Sequence, residues 1–148
     1  MSTARRFLIA FACVAVLSCG TVRRTPIQTS MSLVDSLWTF SQSHPDGFTL
    51  YLATWEEPVQ GISVAYEDTQ GRHNRSGLEF VISHSQSHEG YVGGWFNSQD
   101  SLYYFDSVRL FPEDSLAAAI RFGKAHHQEA IYILSSGREV RLETVPEN

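Results

Sequence analysis

Residues 91–110 read Y-V-G-G-W-F-N-S-Q-D-S-L-Y-Y-F-D-S-V-R-L, and this stretch decides the fold. Tyr91 to Phe96 and Ser101 to Leu110 are rich in aromatic and β-branched residues, which suit a pleated, half-buried surface. Asn97, Ser98, Gln99 and Asp100 lie between them and favour a reversal. The pattern predicts a β-hairpin around which the rest of the chain can be placed.

Downstream, Pro112, Glu113 and Asp114 give a proline and an acidic first turn to a helix from Ser115 to about Ala125, with Leu116, Ala119, Ile120 and Phe122 facing a core. Ala130 to Leu134 and Glu139 to Thr144 then flank Ser135-Ser136-Gly137-Arg138, a second hairpin. Upstream, Leu78, Val81 and Ile82 mark a helix from Ser76 that Gly90 terminates. Two strands precede it, Phe48 to Trp55 and Gly61 to Tyr66, joined by a loop over Glu56 to Gln60. The first helix runs from about Met31 to Ser43, capped by Ser30, striped by Leu33, Val34, Leu37 and Phe40, and stopped at Pro45, Asp46 and Gly47. Helix followed by two strands occurs three times, which is not the strict alternation of a doubly wound parallel sheet. The expectation is an α+β fold: an antiparallel or mixed sheet of about six strands, with three helices packed mainly on one face, in a single domain over 30–145.

The N-terminus carries a different signal. Arg5 and Arg6 form a positive start, Phe7 to Leu17 an apolar run, and Val16-Leu17-Ser18-Cys19 a small-residue cleavage site. This is signal-peptide architecture over 1–18. About a dozen apolar residues are too few to span a hydrocarbon core of roughly 30 Å. Val16 to Cys19 resembles the bacterial lipobox, in which a thiol receives the diacylglyceryl group before cleavage, so Cys19 is the expected lipidation site. Residues 19–29 then form a polar tether containing Pro26. The expected address is the outer membrane, facing the periplasm, with membrane contact through the lipid.

Composition narrows the function. Formal net charge is −5, and −7 without Arg5 and Arg6, so the basic footprint of a nucleic-acid-binding protein is absent. The only cysteines are Cys13 and Cys19, both in the leader, which excludes disulfides, thiolate catalysis and cysteine-based zinc sites in the folded body. No dinucleotide fingerprint or phosphate-binding glycine loop occurs, and no cofactor is expected.

Three groups of residues remain as candidates. His84 and His88 lie four apart on the second helix and could offer two metal ligands, although the glutamate of a zinc-protease helix is missing and two solvated histidines explain them as well. Gly93-Gly94-Trp95 and Tyr103 to Ser107 concentrate aromatics on one hairpin. They form either a ligand or peptide groove around Trp95, Tyr104 and Asp106, or a core face where the glycines make room for a helix. Asp106, with Ser107 and with His84 or His88, would supply the parts of a hydrolase, but no serine elbow surrounds Ser107. His126 and His127 are placed at the C-terminus of the third helix, where capping accounts for them.

From Gly61 to Leu142 the chain resembles small uncharacterised proteins of gut-type bacteria and their mobile elements. The resemblance rests on G-I-S-V-A-Y-E-D-T-Q (61–70), V-G-G-W (92–95), Y-Y-F-D-S (103–107), and A-I-R-F-G followed by Q-E-A-I-Y (119–132). It implies no activity and no catalytic residues. Such proteins start near the position of Met31, which opens an alternative: a cytoplasmic mobile-element protein beginning at Met31. The principal expectation is a non-enzymatic envelope lipoprotein that binds a protein, peptide or small ligand.

Overall fold

The computed structural model describes residues 32–143. The leader, Cys19, the tether, Ser30 and Met31 lie outside the described residues. Helix α1 (Leu33–Gln42) is capped by Ser32, whose Oγ accepts the Asp35 backbone N–H at 3.1 Å. Strands β1 (Phe48–Tyr51) and β2 (Ile62–Ala65) follow, then helix α2 (Arg75–Gln86). Asn74 caps α2 by accepting from Gly77 N at 2.7 Å. Next come β3 (Tyr91–Asn97) and β4 (Leu102–Phe111), a 3₁₀ turn over Glu113–Ser115, helix α3 (Leu116–Ala125), and the pair β5 (Ala130–Ile133) and β6 (Arg138–Arg141). Every neighbouring pair in the sheet, ordered β1-β3-β4-β2-β5-β6, is antiparallel. The fold is α+β. Among the described residues no helix is long and apolar enough to cross a membrane.

One expected element is shorter than its composition suggested. The strand predicted through Trp55 stops at Tyr51, where the chain doubles back and Tyr51 N donates to Glu56 O at 2.9 Å. Trp55 sits in the left-handed region at φ 59°, and its ring meets Phe40 at 5.9 Å. Packing on α1 has overridden the β preference of the Ala53-Thr54-Trp55 segment.

All three helices cover one face of the sheet. Side chains alternate along a strand, so Phe105, Ser107, Arg109 and Phe111 of β4 share that face. Leu50, Val92 and Phe105 join Leu37, Leu78, Val81 and Ile82 in one apolar cluster under α1 and α2. Ile62, Val64 and Ile131 join Ala119 and Leu142 in a second cluster under α3. Gly123 lets α3 approach closely: a Cβ there would lie 2.6 Å from Leu142 Cδ1 and 3.1 Å from Ile131 Cγ2.

The opposite face carries no helix and is bent inward. β3 and β4 separate β1 from β2, so a flat sheet would hold those two strands about 14 Å apart. Nevertheless Thr49 Oγ1 donates to Ser63 Oγ at 3.4 Å. The bend is accommodated by small side chains on its inside, namely Thr49, Gly93, Ser63, Ala65 and Val108. Thr49 and Ser63 are each 9% exposed and Val108 5%, although no helix covers them.

Candidate functional site

The β3–β4 hairpin turns through a left-handed Ser101 (φ 61°), with Ser101 N donating to Asn97 O at 2.9 Å. Its register puts Trp95 opposite Tyr104 and Gly93 opposite Asp106. Trp95, Tyr104 and Asp106 therefore share the helix-free face. The Trp95 and Tyr104 rings stack with centroids 5.1 Å apart and planes 22° apart. Trp95 Nε1–H donates to Asp106 Oδ2 at 3.1 Å, passing Gly93, which has no side chain to obstruct it. At the other end of the stack the Tyr104 hydroxyl donates to Asp100 Oδ2 at 2.8 Å. The result is a line from Asp100 through two stacked rings to Asp106.

Its surroundings leave the rings accessible. Gly47 lies beside Trp95 at the edge of β1, where a Cβ would be 3.5 Å from Trp95 Cα, and has no side chain to cover the indole. Trp95 is 45% exposed. His73 meets Tyr104 edge-on at 5.6 Å, and its Nδ1 lies 3.0 Å from Gly71 O. Asp106 is half-buried, and burial pushes its carboxyl up to about 6 against the opposing pull of the Trp95 hydrogen bond. Hydrogen bonding to Asp100 raises the Tyr104 hydroxyl.

The remaining aromatics of this hairpin point the other way. Tyr103 stacks on Phe48 and tilts against Phe105, which is fully buried. The room that Gly94 provides is for rings and not for a helix: a Cβ there would lie 2.4 Å from Phe48 Cε1 and 2.9 Å from Tyr103 Cε1. One aromatic run therefore supplies both the core and an exposed surface.

His84 and His88 belong to a second group, on the helix side. Both rings pack on Tyr66, as does His126 from α3, at centroid distances of 5.2, 4.7 and 5.1 Å. The Tyr66 hydroxyl donates to Glu89 Oε2 at 2.6 Å, and Glu89 pairs with Arg109 at 3.4 Å. Desolvation, and then the neighbouring His88, hold the His84 imidazole below its usual range. The His84 and His88 rings stack at 4.0 Å with planes 14° apart. Ring-nitrogen lone pairs lie in the ring planes, so in this arrangement they run side by side and do not converge on one ion. Among the described residues no group of three or more His, Cys, Asp or Glu side chains is placed to hold a metal. His126 is the C-cap residue of α3, as expected, its backbone N–H donating to Phe122 O at 3.0 Å, while its ring packs on Phe122 at 4.2 Å and His127 pairs with Glu67 at 2.9 Å.

The sheet separates the parts of the hydrolase considered above. Asp106 is on the helix-free face, while His84 and His88 are on the helix side. Ser107 is fully buried, and neither its Oγ nor His84 Nδ1 has a hydrogen-bond partner among the described residues, so no nucleophile–base pair is assembled. Sequence reading missed Asp100, His73 and Gly47 at the aromatic surface. Asp100 carried a signal, because a reversal over 97–100 returns the chain beside Tyr104. His73 and Gly47 carried none, since strand order alone brings them there. No family model matches the chain, and no curated protein or solved structure matches it.

Proposed function

We propose that the protein is an envelope lipoprotein, anchored to the outer membrane through Cys19 and facing the periplasm. In this reading its α+β domain is a non-enzymatic binding module. The observation that carries the binding role is the convergence of Trp95, Tyr104 and Asp106 on the one sheet face that no helix covers. An exposed aromatic platform with a polar anchor beside it is the composition of binding hot spots. The leader, with its n-region, apolar run and lipobox-like Val16 to Cys19, supports the address.

Two experiments test the reading. The intact mass of the native protein, taken with membrane fractionation, should match a triacylated chain beginning at Cys19; an unmodified soluble chain beginning at Met31 overturns the address. Trp95→Ala should stay folded and lose its envelope partner after in vivo crosslinking. Retention of that partner by a folded variant sinks the surface.

A further inference from the structure

The hydrogen bonds of the aromatic line determine what it can bind, given that it is a binding surface as proposed above. The indole N–H of Trp95 is used by Asp106, and the hydroxyl proton of Tyr104 by Asp100. These are the only polar protons the two rings possess. What remains facing outward is two π faces and the free lone pairs of two carboxylates. The two rings and their two carboxylates therefore present acceptors and no donor, and the nearby Asn97 Nδ2 is turned onto Asp100 Oδ2 at 3.1 Å. Each ring donates to an anion, which drives electron density into the π system and strengthens its attraction for positive charge.

Charge points the same way. Among the described residues no Lys or Arg forms a salt bridge with Asp106 or Asp100; Arg75 pairs with Asp35, Arg109 with Glu89, and Arg141 with Glu129 and Glu139. Arg72 lies over the Phe80 ring on the helix side. At the ring stack the ionisable neighbours are Asp100 and His73, both in contact with Tyr104, and Tyr91 and Tyr51 lie further along the same face. The negative charge of Asp106 is partly withdrawn from water and has no paired cation among the described residues. We infer that this surface takes an arginine side chain from a partner protein, its guanidinium flat on the Trp95 indole and donating to Asp106. A guanidinium is planar, carries five donors and no acceptor, and is weakly hydrated, so it complements carboxylate acceptors beside an exposed indole better than an ammonium does. A hydroxyl-rich or anionic ligand finds no donor on either ring.

The test uses the full-length lipidated protein in non-ionic detergent. The three indole N–H resonances of Trp38, Trp55 and Trp95 are followed by ¹H–¹⁵N NMR, with Trp95 assigned by its absence in Trp95→Phe. The tripeptide acetyl-Gly-Arg-Gly-amide, at millimolar concentration and pH 7.5, should shift the Trp95 signal saturably and leave Trp38 unmoved. The citrulline counterpart, equal in shape but uncharged, should leave all three in place. Asp106→Asn should weaken the arginine peptide about tenfold, the scale of one lost charge-assisted hydrogen bond. Equal shifts from arginine and citrulline peptides, or unchanged affinity in Asp106→Asn, overturn the inference. The parent reading is judged separately by the crosslinking experiment: if neither peptide moves Trp95 while Trp95→Ala still loses its envelope partner, the guanidinium assignment falls and the binding surface stands.

Discussion

Asp106 holds a charge where the fold disfavours it, and that sets the sign of its pH dependence. Its folded pKa of about 6 lies above the ordinary 3.8, so the folded protein binds this proton more tightly than the unfolded chain. Well below pH 3.8 both states are protonated and the group is neutral to stability; the cost of ionising it in the fold grows as pH rises through 3.8 and is complete above about 6. Two units correspond to at most about 3 kcal/mol, and the half-buried position reduces that to about 1. Asp106→Asn is therefore expected to gain about 1 kcal/mol in urea denaturation at pH 7.5 and nothing well below pH 3.8. A less stable variant at pH 7.5 means that the Trp95 hydrogen bond outweighs burial. Gly94→Ala is expected to lose about 1–3 kcal/mol, because its methyl would enter the Phe48 and Tyr103 rings. Gly93→Ala, whose Cβ would press on the flexible end of Val108 at 3.1 Å and otherwise reach only backbone oxygens at 3.8 Å, should cost clearly less by the same measurement. The aromatic surface was legible in sequence only as far as alternation decides it: a reversal over 97–100 puts Trp95 and Tyr104 on one face but pairs Trp95 with Leu102, and the observed reversal over 98–101 shifts the register so that Trp95 meets Tyr104.

Tyr66 joins α2 to α3, and no sequence signal announced it. A tyrosine just past a short strand has no motif, and its partners are His84 of α2, His88 in the turn after α2 and not on the helix as expected, Phe122 of α3 and His126 at its C-cap. Helix stripes and hairpins were readable because they depend on residues a few positions apart. The end of β1 was not, because the left-handed Trp55 depends on Phe40 of α1. The Tyr66 junction carries a pH dependence opposite to that of Asp106. His84 prefers to be neutral in the fold, so the unfolded chain binds more protons as pH falls through about 6.5, and stability is lost on acidification. In an Asp106→Asn background, which removes the opposing group, the urea midpoint should fall between pH 7.5 and 5.5. His84→Gln in the same background should flatten that slope while lowering the plateau; an unchanged slope assigns the titration to another residue.

The molecule holds two apolar clusters under one continuous sheet, and the question at this scale is whether they unfold together. Trp38, Trp55 and Trp95 all lie on or beside α1, β1 and β3, so fluorescence reports that end, whereas far-UV circular dichroism reports the whole. Phe105→Ala empties the centre of the first cluster and should cost about 3–5 kcal/mol, with both probes moving together. Separate transitions would show that α3, β5 and β6 survive alone. Strand order was the part of the architecture least visible in sequence, since alternation identifies strands but not their neighbours. That order has a consequence for a chain that emerges N-terminus first, as an exported protein does. β1 can pair only when residues 91–94 have appeared, and β2 only when β4 has followed. In any such chain the earliest strands wait with their edges bare, and sheet assembly begins when the central β3–β4 hairpin, a motif that closes in about 1–10 μs, gives them a template.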